Sequence, residues 1–247
     1  SSDKVQIMDI DTPNCYDATD IYRRTVVMVK VDDEISYGVD FFRVKGGKDH
    51  LYSFHSQSDV ITETEGVTLI PQTNEKGEYI GSYAGPDVPF GPDPQSDPTD
   101  WDPALKYPKG YTWLRNVRKD LNVESNKVSV TMKQIDYRDS LPMDLDLYLR
   151  MTMLSEKPMN EVVIASGKPP QIGQNIEALD YILMRNKSNE KLDTLFSAVY
   201  EPYKDARYLN DMEIVPMTVL EGSEKADDTA RAIKVMHNNG RVDYVVY

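Results

Sequence analysis

The stretch from Thr25 to His55 leaves few options for the chain around it. Thr25 to Val31 is apolar at Val26, Val27, Met28, Val29 and Val31, the pattern of a strand covered on both faces. Ile35, Tyr37, Val39 and Phe41 then alternate with Ser36, Gly38 and Asp40, the period of a half-buried strand. The phase slips at Phe41 and Phe42 and leaves Val44 on the other parity, which predicts a β-bulge near Phe42. Gly46 and Gly47 supply positive φ for a tight return into Leu51, Tyr52, Ser53 and Phe54. Three consecutive antiparallel strands are therefore expected at the centre of a β-rich fold.

Strand patterns recur along the rest of the chain. They fall at Val5 to Ile10, Val67 to Ile70, Tyr111 to Val117, Lys127 to Lys133, Glu161 to Ala165, Leu179 to Lys187, Leu192 to Tyr200 and Met212 to Leu220. Met143 to Met151 alternates without a fault, which predicts Met143, Leu145, Leu147, Leu149 and Met151 inward and Asp144, Asp146, Tyr148 and Arg150 on a wet face. Asn238, Asn239 and Gly240 predict a tight hairpin between Ile233 to His237 and Arg241 to Tyr247. Glu224 to Arg231 has room for one or two helical turns. From Pro71 to Gly110 the density of Gly and Pro excludes long regular elements, and so long a loop in a compact domain is usually functional or disordered. The sum is an all-β chain: a large two-sheet antiparallel β-sandwich (supersandwich-like) over residues 1–247 as a single domain, with a long Pro/Gly-rich loop at about 71–110.

Composition narrows the partners. With 247 residues and a formal net charge of −13, the chain suits neither nucleic acid nor an anionic membrane surface. Its single cysteine, Cys15, rules out an internal disulfide and a thiolate metal cage. No apolar run approaches the ~20 residues needed to span a bilayer.

Candidate chemistry is sparse. His50 and His55 lie five apart on one expected strand, so they point to opposite faces and do not form a shared metal site or an acid/base pair. The expectation is that His50 closes a turn, that His55 ends its strand against a carbonyl, and that His237 faces solvent beside its hairpin. Asp87, Asp93, Asp97, Asp100 and Asp102 match no calcium-loop signature and read as charge in a solvated loop. No metal and no cofactor is expected.

Lys106 to Lys119 is the richer stretch. Lys106, Lys109, Arg115, Arg118 and Lys119 are basic with no acid between them, and Tyr107, Tyr111 and Trp113 are interleaved, with Trp101 upstream. Sugar rings stack on aromatic faces, and Arg pairs with carboxylate or sulfate. Trp101, Tyr107, Lys109, Arg115 and Arg118 are thus candidate contacts to an acidic polysaccharide or oligosaccharide. The competing reading turns Tyr111 and Trp113 into the core and leaves the basic residues lining a wet face. Arg24 and Arg43 are candidates for internal ion pairs with Asp40 or Glu201.

A resemblance joins these pieces. Tyr22-Arg23-Arg24-Thr25, Val39-Asp40-Phe41-Phe42-Arg43-Val44-Lys45-Gly46-Gly47, His50 and Ser53-Phe54-His55 resemble the central β-sandwich of heparinase II/III-like polysaccharide lyases. Phe196-Ser197-Ala198-Val199-Tyr200-Glu201-Pro202-Tyr203 resembles the same family downstream. The resemblance implies a bacterial protein, periplasmic or secreted, acting on uronic-acid-containing polysaccharide. It also implies that the catalytic Asn or His and Tyr belong to an α/α-toroid preceding the sandwich, and that a further His segment opens the sandwich upstream of this chain. No catalytic residue is therefore assigned within it, and the chain is expected to be one wall of a substrate cleft, inactive alone. The alternatives are a stand-alone carbohydrate-binding sandwich and a purely structural one.

Overall fold

The computed structural model describes residues 3–12, 15–91, 110–135, 146–168, 178–218 and 230–247. Among them the strands, numbered in chain order, form three antiparallel sheets. The first sheet has seven strands, in the order β1 (Val5–Asp11), β2 (Thr19–Lys30), β3 (Ser36–Gly46), β12 (Asp193–Lys204), β9 (Leu147–Leu154), β8 (Lys127–Lys133) and β5 (Val60–Glu65). The second has five: β4 (Asp49–His55), β11 (Leu179–Lys187), β10 (Glu161–Gly167), β7 (Leu114–Asp120) and β6 (Ile70–Pro71). The third is a meander of β13 (Leu209–Val215), β14 (Ala232–His237) and β15 (Val242–Val246).

The first two sheets make the expected sandwich. Phe42, Val130, Met132, Met151, Met153 and Phe196 of the first meet Tyr52, Val162, Ile164, Ile182 and Met184 of the second. Each such side chain contributes about 1.5–3 kcal/mol when fully buried. The third sheet is an addition to that expectation. Its Leu209, Met212, Ile233, Val235 and Val245 pack on the opposite face of the first sheet, against Val27, Val29, Tyr37, Val39, Phe41, Leu195 and Val199.

This third layer explains the slip at Phe41 and Phe42. The register of β3 runs unbroken beside β2 from Ile21↔Lys45 to Lys30↔Ser36 and beside β12 from Asp193↔Lys45 to Tyr200↔Gly38. No bulge lies at Phe42; the irregularity in β2 falls between Thr19 and Ile21. Phe41 and Phe42 point to opposite faces of a strand covered on both sides, so apolar residues sit on both parities.

Other expectations shift similarly. Arg150 does not stand on a wet face: it is 2% exposed, with Nη1 donating to Glu63 Oε2 at 2.7 Å and Thr131 Oγ1 at 2.8 Å, and Nη2 to Glu65. Both acids come from β5, a strand that alternation does not reveal because Val60 and Ile61 are its only aliphatic residues. Tyr111–Trp113 is a 3-10 turn rather than the start of a strand. The short element foreseen at Val67 to Ile70 is Ile70–Pro71. Residues 71–91 carry two isolated bridges, Thr73↔Tyr79 and Ser82↔Gly85. The rest of that loop, residues 143–145 and the turn foreseen at 224–229 lie outside the described residues.

Candidate functional site

Of the five residues picked out for glycan contact, Arg115 and Arg118 are described; Trp101, Tyr107 and Lys109 lie outside the described residues. Both arginines sit on β7, and a local irregularity aligns them. Arg118 lies opposite Ile164 of β10 and Arg115 opposite Ser166, so three residues of β7 answer two of β10. The extra residue takes positive φ at Asn116, 53°. Directly opposed residues share a face, and Ile164 and Ser166 share one, so Arg115 and Arg118 do as well. In a regular strand, positions three apart would point opposite ways.

Asp180 occupies the same face. It lies opposite Ser166 in the ladder, accepts from Ser166 Oγ at 2.8 Å and stands 3.4 Å from Arg118 Nη2. Burial pushes its carboxyl up from the usual value; the Ser166 and Arg118 hydrogen bonds and the Arg118 charge pull the other way. Arg118 is thus partly neutralised. Arg115 lies over the Phe90 ring at 5.1 Å, and Phe90 meets Trp113 edge-on at 5.8 Å.

Trp113 is 46% exposed, so the reading that buried it is incorrect. The 3-10 turn breaks the strand parity that would have taken it inward. Tyr111 packs on Tyr83 at 4.5 Å beneath the Arg185 guanidinium, and Tyr83 belongs to the loop residues covering the outer face of the second sheet. Phe90, Trp113 and Arg115 thus cluster, while Arg118 is held by Asp180 on the Ile164 face, which is turned toward the first sheet. Phe90 and Tyr83 were missed because loop residues carry no periodicity; their Pro/Gly surroundings were the only signal.

The histidines divide. His50 is buried and closes the Gly46–Gly47 turn, its ring within 2.5 Å of Gly46 O and 2.9 Å of Thr194 Oγ1. His55 lies beside Tyr181, their ring centres 4.7 Å apart and tilted by 42°. His237 is not solvent-facing: it is 4% exposed, with Nε2 3.0 Å from Asp243 Oδ2, under the third sheet beside Tyr37. Its strand alternates inward at that position, and the neighbouring turn does not change this.

The two arginine pairings also resolve. Arg24 on β2 pairs with buried Asp40, Nε to Oδ1 at 3.0 Å and Nη2 to Oδ2 at 2.6 Å. Arg43 pairs with Asp193 at 3.0 Å instead, because its face of β3 is turned away from Asp40. Glu201 accepts from Arg207 Nε at 2.9 Å and from the Tyr208 and Leu209 amides. Tyr52 Oη donates to Asp40 and also meets Tyr200 Oη. Burial pushes both phenols well above the ordinary tyrosine range. Among the described residues no group of three His, Cys, Asp or Glu could hold a metal ion.

Together these features define a large antiparallel β-sandwich with a small third sheet and a cluster of Phe90, Trp113 and Arg115 beside the start of β7. No family model matches the sequence, and no curated protein matches it. Among solved structures the fold is similar to a mutant of the heparan sulfate lyase HepC from Pedobacter heparinus, with a TM-score of 0.50 and 10% identity. That likeness covers 100% of this chain and 26% of the lyase, so the chain spans about a quarter of that protein.

Proposed function

We propose that the chain is the non-catalytic β-sandwich of a heparinase II/III-like polysaccharide lyase and forms one wall of a cleft for uronic-acid-containing polysaccharide. The observation that carries this reading is the likeness of its whole length to a quarter of a heparan sulfate lyase. In that role it works beside an N-terminal α/α-toroid of the parent chain, as one domain of a bacterial protein that is periplasmic or secreted. Arg115 beside Phe90 and the exposed Trp113, with the part-exposed Arg118 further along β7, is the chemistry that would meet a carboxylated or sulfated chain.

The reaction is β-elimination. A base takes the proton α to the uronate carboxylate, a neutralising group stabilises the enolate, and an acid protonates the departing glycosidic oxygen. The groups of this chain suit contact better than chemistry. Tyr52 and Tyr200 hold their protons because burial disfavours the phenolate, and a base must give its proton up near the working pH. His50 has both ring nitrogens engaged by Gly46 and Thr194.

The test has two arms. The purified chain incubated with heparan sulfate is expected to release no unsaturated uronate, and release would overturn the non-catalytic assignment. Its affinity for an acidic oligosaccharide is expected to fall about tenfold or more in Arg115→Ala/Arg118→Ala, the scale of one or two charged hydrogen bonds. Unchanged affinity retires the β7 face as the contact.

A further inference from the structure

The second sheet is set back from one edge of the first. Its edge strand β4 lies over β3 and β12, where Tyr52 meets Asp40 and Tyr200, and no described element covers β1 and the near part of β2 on that side. Opposed residues form a row across four strands: Ile10, Arg24, Phe42, Phe196. Exposure falls along it from 49% at Ile10 to 8% at Phe42 and 1% at Phe196. Met8 and Met28 on the same face are 53% and 52% exposed. The face is a shelf, and Arg24 is the cation on its floor, its side chain 45% exposed.

Arg24 is fixed in place before any ligand arrives. Nε and Nη2 are committed to Asp40, Nη2 also reaches Tyr52 Oη at 3.3 Å, and the guanidinium lies 5.6 Å from the Phe42 ring centre and 5.5 Å from that of Tyr52. Nη1 takes part in none of these bonds, although the guanidinium also interacts with Tyr200. The exposed edge of the guanidinium is therefore offered to whatever occupies the shelf, and its ordering cost has already been met within the fold.

Alongside lies a cavity of about 400 Å³ lined by Tyr16, Tyr22, Phe42, Tyr111 and the Gly46–Gly47 turn. Tyr22 and Arg24 are neighbours on one face of β2, ~7 Å apart by strand geometry, about the span from a pyranose ring to its exocyclic acid. Tyr16, 57% exposed, and Tyr22 hold their ring centres 5.3 Å apart, tilted by 59°, and give the cavity two aromatic walls. The one carboxylate on its lining, Asp49, is engaged by Arg185 at 2.6 Å.

We propose that this shelf is a subsite for an anionic sugar residue, with the ring against Tyr16 and Tyr22 and a carboxylate or sulfate oxygen on the exposed edge of the Arg24 guanidinium. The inference rests on the acidic-glycan reading above and adds a second place of contact to it. Because Asp40 balances Arg24, selection here comes from directed donors rather than from net charge.

The experiment titrates isotope-labelled chain with an unsulfated hexuronate tetrasaccharide, a heparin-derived sulfated tetrasaccharide and maltotetraose, following the Arg24 Nε–H and Tyr16 ring resonances. Both signals are expected to move with an anionic sugar, and the Arg24 signal to stay still with maltotetraose. Response to both anionic sugars assigns a carboxylate; response to the sulfated one alone assigns a sulfate. Tyr16→Ala, an exposed change the fold should tolerate, is expected to weaken binding roughly five- to tenfold, the scale of one stacked ring. An Arg24 signal unmoved by both anions, or unchanged affinity in Tyr16→Ala, overturns the subsite. If Arg115→Ala/Arg118→Ala still weakens binding in that case, the shelf fails alone; if no acidic sugar binds at all, both readings fail.

Discussion

Tyr52 Oη donates to Asp40 Oδ2 at 2.6 Å, a bond between β4 of the second sheet and β3 of the first. Asp40 and Tyr52 are each 1% exposed. The bond ties two layers together where their apolar packing meets a buried charge. Tyr52→Phe removes one of the donors to that carboxylate and leaves Tyr200 Oη without its closest partner. The expected loss is about 1–3 kcal/mol of unfolding free energy by urea titration, for a buried polar group left short of a partner. A loss below the error of the titration would mean that water replaces the phenol.

Alkaline pH should act on the same cluster. Tyr37, Tyr52, Tyr83, Tyr200 and Tyr208 all have phenols raised above the ordinary value of 10.0, with burial as the first cause in each. Above pH 10 the unfolded chain sheds these protons and the folded chain keeps them, so stability is fully present below that pH and declines as pH rises beyond it. Tyrosinate absorbance is expected to appear together with loss of far-ultraviolet strand signal above pH 10. Phenolate forming fully before any unfolding would contradict this.

The turn between β3 and β4 separates two glycines that look alike in sequence. Gly46 has φ of 97°, and a Cβ there would stand 2.4 Å from Ala18 O; Gly47 has φ of 72° with open space, its nearest atom at 3.8 Å. Gly47→Ala therefore meets only the left-handed backbone penalty, about 1–2 kcal/mol. Gly46→Ala adds a clash with main chain and should be the clearly worse variant by thermal melting. Equal melting temperatures would show that the Ala18 segment yields freely.

Asp180 carries a raised carboxyl pKa, so its ionised form is disfavoured by folding. A raised folded value means that its contribution is fully present below the ordinary 3.8 and is lost as pH rises through the folded value. Asp180→Asn should accordingly gain on the parent chain between pH 4 and pH 7, read as a widening difference in urea midpoint. A narrowing difference would indicate that the Arg118 pairing dominates over burial.

Glu201 is 1% exposed and gathers the Arg207 guanidinium and two amides at the corner between β12 and β13. Removing it strands Arg207 and both amides. Glu201→Ala is expected to cost about 1–3 kcal/mol, because two amides lose their acceptor while Arg207, 31% exposed along its side chain, stays partly solvated. The measurement is denaturant unfolding, and a cost under ~1 kcal/mol would identify the corner as solvated.

How far the sequence spoke for itself depends on the face involved. Lys127–Lys133 is the strand its pattern predicts, and Asn238, Asn239 and Gly240 turn the last hairpin as turn chemistry requires. Local periodicity fails where a third layer covers a face. Phe41 and Phe42 then look like a slip, and Arg150 looks wet although β5 brings two acids to it from far along the chain. The Arg24–Asp40 pair was legible only as one of several pairings open to Arg24 and Arg43 with Asp40 or Glu201, since the alternation of β3 put Asp40 on its polar parity. The alignment of Arg115 with Arg118 was not, since it depends on one extra residue at Asn116 that no pattern announces. The shelf was equally hidden: it arises from unequal sheet widths, a property of the assembled layers alone.

The double covering of β3 also bears on how the chain is made. Tyr37 Oη donates to Asp243, 206 residues later, and Val39 and Phe41 find their roof only in strands beyond residue 208. A nascent chain completes the first sheet only when β12 joins its two halves, and one greasy side of β2 and β3 stays bare until the ribosome has delivered the meander that caps it. The interval invites holding by a chaperone, and slowing translation between residues 204 and 232 would lengthen it.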